Sequence, residues 1–370
     1  MFSRRALKFL SVVVFLVLAL VVAGIGVYFG YSYVIAQNAR FEAFSTSGTT
    51  IGPDTAGAKM VVIPRAATTK AIAALLSDQK VIANPFLFTL LSKVNGFDGQ
   101  YQAGTHFVTA SMTYDEIMYL LSQKPKSVTV TFPEGITYKQ IKAKLTAAGV
   151  YFDEKKLDAM VKNPSLFLDY DFVRAIPVTA GRDWTLQGYL FPDTYEFDMN
   201  ADEETILRTF LNNAENKYLP EFYARAQVLG LSMDQVITLA SIVQNETAKL
   251  TDMGTVASVF WNRLKSKDPT MNFLQSCASL NYLREEQGLA RRYIATDADI
   301  KFQSPYNTYQ NKGLPPGPIG NPGSDAIRAT LWPDKTTYLY FVAMGNGNTA
   351  FASTFTQHLA NIKNSKYYGQ

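Results

Sequence analysis

The stretch SMDQVITLASIVQNET, residues 232–247, decides how the fold of this chain is interpreted. Ser232 is a good helix N-cap and Gln235 follows three residues later, which is the spacing of a capping box. Apolar residues then recur at the i, i+3, i+4 and i+7 positions of one helical stripe, namely Val236, Leu239, Ala240 and Val243. The pattern predicts a helix with one buried face.

Glu246 lies near the end of this predicted helix, on its apolar side. At about 100° per residue it projects between Leu239 and Ile242, whereas Asn245 points the other way. A carboxylate there is costly to bury unless it is paired, hydrogen-bonded or protonated, and desolvation raises the pKa of a carboxyl group. Glu246 is therefore a candidate general acid. The alternative is that it simply reaches water at the helix end.

The composition argues against several classes of function. A net charge of +4 over 370 residues is too small to indicate nucleic-acid binding. The single cysteine, Cys277, excludes an internal disulfide and a cysteine-rich zinc site. Two histidines, His106 and His358, argue against a histidine-built metal site and leave few bases for a catalytic triad. We expect no metal, no cofactor and no nucleic-acid partner.

The N-terminal segment predicts a membrane anchor. Residues 9–34 are almost wholly apolar, and a spanning helix needs about 20 such residues. Basic residues precede them, so residues 1–34 are interpreted as a cytoplasmic stub and a transmembrane signal anchor, with the remaining chain outside. The alternative is a cleaved signal peptide, whose apolar region would be only about 7–15 residues long.

The remaining chain is predicted to be α+β. Residues 35–58 are interpreted as a linker, since they are rich in Ser, Thr and Gly toward their end. Residues 59–126 carry strand, helix, helix and strand patterns within a short span, which is typical of a small binding module. Residues 127–370 mix strand and helix patterns and predict a larger α+β domain.

Two stretches before the central helix carry candidate ligand-binding residues. Glu134 precedes a glycine, and it either serves the turn or binds a ligand. The stretch GYLFPDTYEF, residues 188–197, places Asp193, Tyr195 and Glu196 among aromatic rings. Rings beside carboxylates suit sugar binding, and they equally suit a core loop that a proline holds in shape.

Two stretches after the central helix also contain polar candidates. Residues 304–323, SPYNTYQNKGLPPGPIGNPG, have too many prolines and glycines for regular structure. They predict a shaped surface loop that presents Tyr306, Asn307 and Tyr309. Arg263, near the end of another amphipathic helix pattern, is expected on a solvated face, and contact with a ligand is the alternative.

Several motifs in register resemble the MltG (YceG-like) endolytic murein transglycosylase family. The central stretch LASIVQNET resembles the family's L-A-S-I-V-E-K-E-T signature. The other landmarks follow in family order, and they are the E-G turn at Glu134-Gly135, GYLFPDTY at 188–195, VASVFWNRL at 256–264, the Tyr-Asn-Thr-Tyr to Pro-Gly loop at 306–323, YLYFVA at 338–343 and His358. The resemblance covers nearly the whole chain.

This resemblance implies an architecture and a location. The family has a single-pass anchor, a LysM-like module, here residues 59–126, and a YceG-like catalytic domain, here residues 127–370. It implies the bacterial cytoplasmic (inner) membrane, with the N-terminus in the cytoplasm and the catalytic domain facing the periplasm or cell wall. Peptidoglycan glycan strands would be the substrate, and the resemblance allows peptidoglycan synthases or penicillin-binding proteins as partners.

The resemblance also implies a lyase, an endolytic peptidoglycan lytic transglycosylase. Such an enzyme cleaves the β-1,4 bond between N-acetylmuramic acid and N-acetylglucosamine, leaves 1,6-anhydro-muramic ends and terminates or releases nascent strands. The family's proposed acid corresponds to Glu246, and the other glutamate of the motif is Gln244 here. The residues expected to bind substrate are Ser241, Gln244, Glu134, Asp193, Tyr195, Gln275, Ser276, Tyr306, Asn307 and Tyr309.

Two departures from the family pattern keep other functions open. Cys277 replaces the aspartate of the family's L-Q-[ST]-D motif, and the family's P-x-G turn is Pro64-Arg65-Ala66 here. With Gln244, the Cys277 change leaves a non-catalytic, membrane-anchored peptidoglycan-binding scaffold as one alternative. The other alternative is a hydrolytic muramidase, which would need a second carboxylate, with Asp193 or Glu196 as the candidates.

Overall fold

A computed structural model of the chain describes residues 4–47, 51–52, 55–125, 127–247, 249–292, 294–345 and 347–366. Helices combine with antiparallel two-stranded sheets, and this confirms the predicted α+β class. The chain divides into two compact units, Met1–Pro125 and Lys126–Gln370, and each has its own hydrophobic core. The start of the predicted cytoplasmic stub (1–3), parts of the predicted linker (48–50 and 53–54) and residue 126 lie outside the described residues.

The first unit begins with a long apolar helix and continues as a small α+β module. Its elements are α1 (Arg4–Thr46), β1 (Ala58–Ile63), α2 (Thr69–Asp78), α3 (Pro85–Val94), β2 (Gly104–Thr109) and α4 (Tyr114–Ser122). Within Val13–Thr46, an 18-residue stretch of α1 has a mean hydropathy of 2.7, and the helix is long and apolar enough to be a single-pass anchor or a signal sequence. Because α1 continues to Thr46, the first half of the predicted linker is helical.

The module contains one two-stranded antiparallel sheet, whose strands are separated in the chain by α2 and α3. β1 pairs with β2, with Ala58 opposite Thr109. The side chains of Thr68, Asn84 and Thr113 cap the three helices that follow, since each accepts a hydrogen bond from the first turn. The Pro64-Arg65-Ala66 turn places Ala66 at φ +59, a left-handed conformation that favours glycine.

The second unit carries the motifs of the central stretch. Its elements are β3 (Ser127–Thr131), α5 (Tyr138–Ala147), α6 (Glu154–Lys162), α7 (Asp171–Arg174), β4 (Thr194–Asp198), α8 (Glu203–Lys217), α9 (Pro220–Leu229), α10 (Met233–Glu246), α11 (Leu250–Leu264), α12 (Cys277–Glu286), α13 (Asp297–Ile300), α14 (Ser324–Leu331), β5 (Tyr340–Ala343), β6 (Thr349–Ala352) and α15 (Phe355–Lys363). β3 pairs with β4 and β5 with β6, both antiparallel.

Helix α10 is the central helix of this unit. Its predicted capping box is confirmed, since Ser232 and Gln235 each bond the backbone N–H of the other. Every residue over 236–243 is buried, so the predicted single buried stripe is too narrow. The reason is that α9, α11, α12 and α14 all pack against α10. The two ends of α10 are more open: Gln235 is exposed in the first turn, and the last turn, which carries Glu246, is partly exposed.

Candidate active site

Glu246 is the last residue of α10, and its carboxyl group faces the first turn of α12. Its Oε1 accepts a hydrogen bond from Ser276 Oγ at 2.5 Å and another from the Ala278 backbone N–H at 3.0 Å. Both hydrogen bonds are therefore made to the same carboxyl oxygen, Oε1. Within the described part of the chain, Oε2 makes no hydrogen bond and is left to hold or release a proton.

The surroundings of Glu246 favour its protonated form. Burial raises its pKa, and the Ser276 and Ala278 hydrogen bonds and the charge of Arg291 only partly offset this rise. The C-terminal end of α10 adds a partial negative charge, which also disfavours the ionised carboxylate. Glu246 therefore does not behave as a solvated residue at a helix end. It has the environment expected of a general acid.

The site opens into a cavity of about 410 Å³. Glu246 is the one carboxylate among its lining residues in the chain as described. Polar groups on the wall come from Gln275, Arg263 and His358, and aromatic and aliphatic side chains supply most of the remaining surface. A cavity that combines apolar surface with convergent polar groups is typical of a ligand-binding site.

A strained residue sets the direction of the Ser276 hydroxyl. Gln275 has a backbone φ of +51°, a left-handed conformation that residues other than glycine rarely adopt. Three contacts hold it there: its N–H donates to Thr308 O at 3.1 Å, the Ser276 N–H donates to Thr308 Oγ1 at 3.0 Å, and Arg263 Nη2 donates to Gln275 Oε1 at 2.8 Å. Strain held in this way is common at functional sites.

The irregular loop at 304–323 brings one of its three candidates to the cavity. Tyr309 lines the wall, with its hydroxyl 3.4 Å from Cys277 Sγ. Tyr306 is buried and packs on Tyr282, with ring centroids 5.1 Å apart. Asn307 is buried and donates to two backbone carbonyls, Ile300 O and Phe302 O, at 2.9 Å each. Its contacts shape the loop that carries Tyr309.

The candidates on α10 and at the E-G turn fasten this loop to the helix. Ser241 Oγ accepts from the Ile319 N–H at 3.0 Å, and Gln244 Oε1 accepts from the Gly323 N–H at 3.0 Å. Glu134 is exposed as a residue, but its carboxyl group hydrogen-bonds Gln244 and is partly shielded from water. This partial desolvation and the nearby charge of Asp325 raise its pKa, although the Gln244 hydrogen bond lowers it. None of these three candidates lines the cavity around Glu246.

The aromatic stretch at 188–197 forms a buried loop that continues into strand β4. Tyr195 is buried and its hydroxyl donates to Phe191 O at 2.6 Å. Asp193 is exposed and accepts a hydrogen bond from Asn213 at 3.0 Å. Glu196 accepts a hydrogen bond from Ser127 on the neighbouring strand. Asp193, Tyr195 and Glu196 are absent from the lining of the Glu246 cavity.

Three residues of the cavity wall, Arg263, Tyr340 and His358, were not among the residues that the sequence led us to expect at the substrate site. The expectation of a solvated face for Arg263 is wrong, since the residue is 5% exposed. The signal was present in the sequence: Val256 and Arg263 lie seven residues apart and so share one face of α11. That face is the buried one.

Cys277 lines the same cavity. Burial and the negative charge of Glu246 raise the pKa of its thiol, so the nucleophilic thiolate is disfavoured. In the residues that can be described, no group of three or more His, Cys, Asp or Glu side chains is placed to hold a metal ion.

Comparisons with known proteins agree with the motifs. The model of the YceG-like family matches residues 61–364. The endolytic murein transglycosylase of Bacillus subtilis is 32% identical over 306 residues, which are 80% of this chain and 81% of that protein. The endolytic murein transglycosylase of Streptococcus pneumoniae is 30% identical over 363 residues, which are 91% of this chain but 62% of that protein. A crystal structure of a YceG-like protein from Listeria monocytogenes is 28% identical with a TM-score of 0.55, covering 82% of this chain and 98% of that one.

Proposed function

The chain belongs to the YceG-like family, and from that premise we propose that it is an endolytic peptidoglycan lytic transglycosylase with Glu246 as its single catalytic acid and base. One observation carries the proposal: the cavity holds one described carboxylate, and its Oε2 is free of hydrogen bonds to the described residues. A two-carboxylate hydrolase would need a second acid within reach of the same bond. Its sequence candidates, Asp193 and Glu196, do not line the cavity.

In the first step, Glu246 acts as a general acid. Its Oε2 gives a proton to the glycosidic oxygen while the bond from that oxygen to C1 of N-acetylmuramic acid breaks. The leaving N-acetylglucosamine keeps the proton as its 4-hydroxyl group, and C1 becomes oxocarbenium-like. The Ser276 and Ala278 donors then stabilise the new carboxylate at Oε1. The N-terminal end of α12 adds to this stabilisation.

In the second step, the same carboxylate acts as a general base. It takes the proton from the 6-hydroxyl of the same muramic residue, and that oxygen bonds to C1 to give a 1,6-anhydro end. Glu246 is protonated again, and no water is consumed. Because the nucleophile belongs to the substrate, its effective concentration is high. Proton transfer of this kind contributes about 10²–10⁴ in rate.

The same proposal extends to the rest of the chain. We assign α1 as a retained single-pass anchor with its N-terminus in the cytoplasm, residues 59–126 as a LysM-like module, and residues 127–370 as the catalytic domain facing the periplasm or cell wall. The substrate is glycan strands, and peptidoglycan synthases or penicillin-binding proteins are the partners that this location favours. The length and hydropathy of α1 support the anchor.

Analysis of the ends of the products tests the proposed reaction. Peptidoglycan is digested with the chain from residue 47 onward, and the ends are identified by mass spectrometry. We expect anhydro-muramic ends from the wild type and at least about 100-fold slower cleavage by Glu246→Gln, since the acid is lost. Reducing ends would contradict the lyase. Binding without any cleavage by the folded wild type would favour the scaffold alternative.

A further inference from the structure

Three arginines are buried in the second unit, and one of them has no carboxylate partner. Arg182 pairs with Asp234 at 2.8 Å and Arg284 pairs with Asp299 at 2.6 Å. Arg263 forms no ion pair with any residue that the structure describes. A buried cation without a counter-ion is unfavourable, because its lost hydration is not replaced by an opposite charge.

The neighbours of Arg263 are all neutral acceptors. Its Nε and Nη2 donate to Phe273 O at 3.1 and 2.5 Å, its Nη1 to Leu339 O at 3.1 Å, and its Nη2 to Gln275 Oε1 at 2.8 Å. These bonds fix the plane of the guanidinium group but leave its charge uncompensated. The residue belongs to the cavity wall, so an anion bound in the cavity could supply the missing charge.

His358 provides a second, independent observation on the same wall. Its Nδ1 is buried and has no hydrogen-bond partner in the structure as described. The imidazole stacks on Tyr340 with centroids 5.1 Å apart, and the Arg263 guanidinium carbon lies 5.6 Å from the centre of the same ring. The Tyr340 ring is therefore contacted by both groups: Arg263, which has no described counter-ion, and His358, whose Nδ1 has no described hydrogen-bond partner.

This pair is separate from the catalytic acid, though within reach of it. The positive charge that acts on Glu246 is that of Arg291. Tyr309 is affected from both sides: Glu246 raises the pKa of its hydroxyl and Arg263 lowers it. Glu246, Tyr309, Arg263 and His358 all line the same cavity, so one ligand bound there can contact both the acid and the buried cation.

We propose that Arg263 and His358 form an anion subsite that binds a carboxylate carried by the glycan substrate. The inference rests on the proposed function and goes beyond it, because the mechanism itself needs no anion. The amino-sugar backbone is neutral, so the carboxylate comes from its substituents. It is either the lactyl group of a muramic residue without peptide or a free carboxyl group of the stem peptide. An Arg–carboxylate contact is directional and charge-assisted.

The decisive experiment changes the substrate, because Arg263 also holds Phe273 and Gln275 in place. The wild-type chain from residue 47 onward is given two pairs of strands. One pair is peptide-free, with lactyl carboxylates free or methyl-esterified. The other pair carries stem peptides with carboxylates free or amidated. Losing a charge-assisted contact should raise KM about 10- to 100-fold with little change in kcat.

The pair of strands that shows the rise in KM identifies the source of the carboxylate. A His358→Phe variant keeps the stacking on Tyr340 and removes Nδ1. We expect it to raise KM for the free carboxylate and to show a smaller difference between free and blocked strands. Equal KM values for free and blocked strands in both pairs would overturn the subsite while leaving the lyase intact. Failure to cleave any strand would instead count against the proposed function.

Discussion

At the scale of the residue, the two oxygens of Glu246 have different environments. Oε1 is fixed by Ser276 and Ala278, and Oε2 is available for proton transfer. The helical pattern around Ser232 was enough to predict a carboxylate on a buried face. The donors could not be predicted from that pattern, because Ser276 lies 30 residues further along the chain and meets Glu246 through tertiary packing, next to the left-handed backbone of Gln275.

Removing the Ser276 hydroxyl should change how activity depends on pH. This hydrogen bond lowers the pKa of Glu246, so Ser276→Ala raises that pKa further. Since the acid must be protonated, the alkaline limb of kcat/KM moves to higher pH. We also expect kcat to fall about tenfold, because the carboxylate formed in the first step loses a donor. Ser276→Thr keeps the hydroxyl and should restore both. An unchanged pH profile would show that the hydrogen bond does not tune the acid.

Glu246→Gln should make the protein more stable at neutral pH. The pKa of Glu246 is raised in the folded state, so its contribution to stability is complete below the unfolded-state pKa and is lost as pH rises through the folded-state pKa. A neutral amide avoids that loss. We expect a gain of about 0.5–2 kcal/mol at about pH 8 and almost none at about pH 4. Thermal unfolding at the two pH values measures it, and a gain that is the same at both would argue against a desolvated carboxyl.

At the scale of the element, the loop at 304–323 is joined to α10 and to the E-G turn. Its irregularity was predictable from prolines and glycines, but its attachment was not. That attachment depends on buried polar contacts, of which Ser241 to Ile319 and Gln244 to Gly323 are examples. Arg263 is a different case: its helix was predicted correctly, and its spacing of seven residues from Val256 was enough to place it on the buried face.

Gly320→Ala should detach the loop from the E-G turn. An added Cβ would lie 2.4 Å from the Gly135 carbonyl oxygen. The clash is between the backbone of the loop and the backbone of the E-G turn, and neither can move aside as easily as a side chain. We expect a loss of about 2–4 kcal/mol in unfolding free energy, together with reduced cleavage. Gly313→Ala in the same loop is the control. Its Cβ would meet nothing within 4 Å, so only the left-handed backbone penalty of about 1 kcal/mol applies. Equal losses for the two variants would contradict this packing.

At the scale of the whole molecule, the chain consists of two units with separate cores. The α+β class and the long apolar helix followed from composition and periodicity. The C-terminal end of α1 could not be predicted in this way, because a helix can continue into polar sequence when residues later in the chain contact it. Arg40, for example, forms an ion pair with Glu116 of α4 at 2.8 Å.

Residues 127–370 should fold and cleave without the first unit. They hold a complete core, together with Glu246 and its cavity. We expect cooperative thermal unfolding and a kcat within about threefold of that of the chain from residue 47 onward, since removing the first unit takes no residue from the cavity. An unfolded or inactive fragment would show that the site needs the first unit.

In the proposed mechanism, one carboxylate directs the substrate's own 6-hydroxyl to C1 without using water. Cleavage in water enriched in heavy oxygen tests it most directly. Mass spectrometry of the new muramic ends should find anhydro ends with no heavy oxygen from the wild type. Heavy oxygen at C1 at the moment of cleavage would mean that water is the nucleophile, and it would contradict the single-carboxylate lyase.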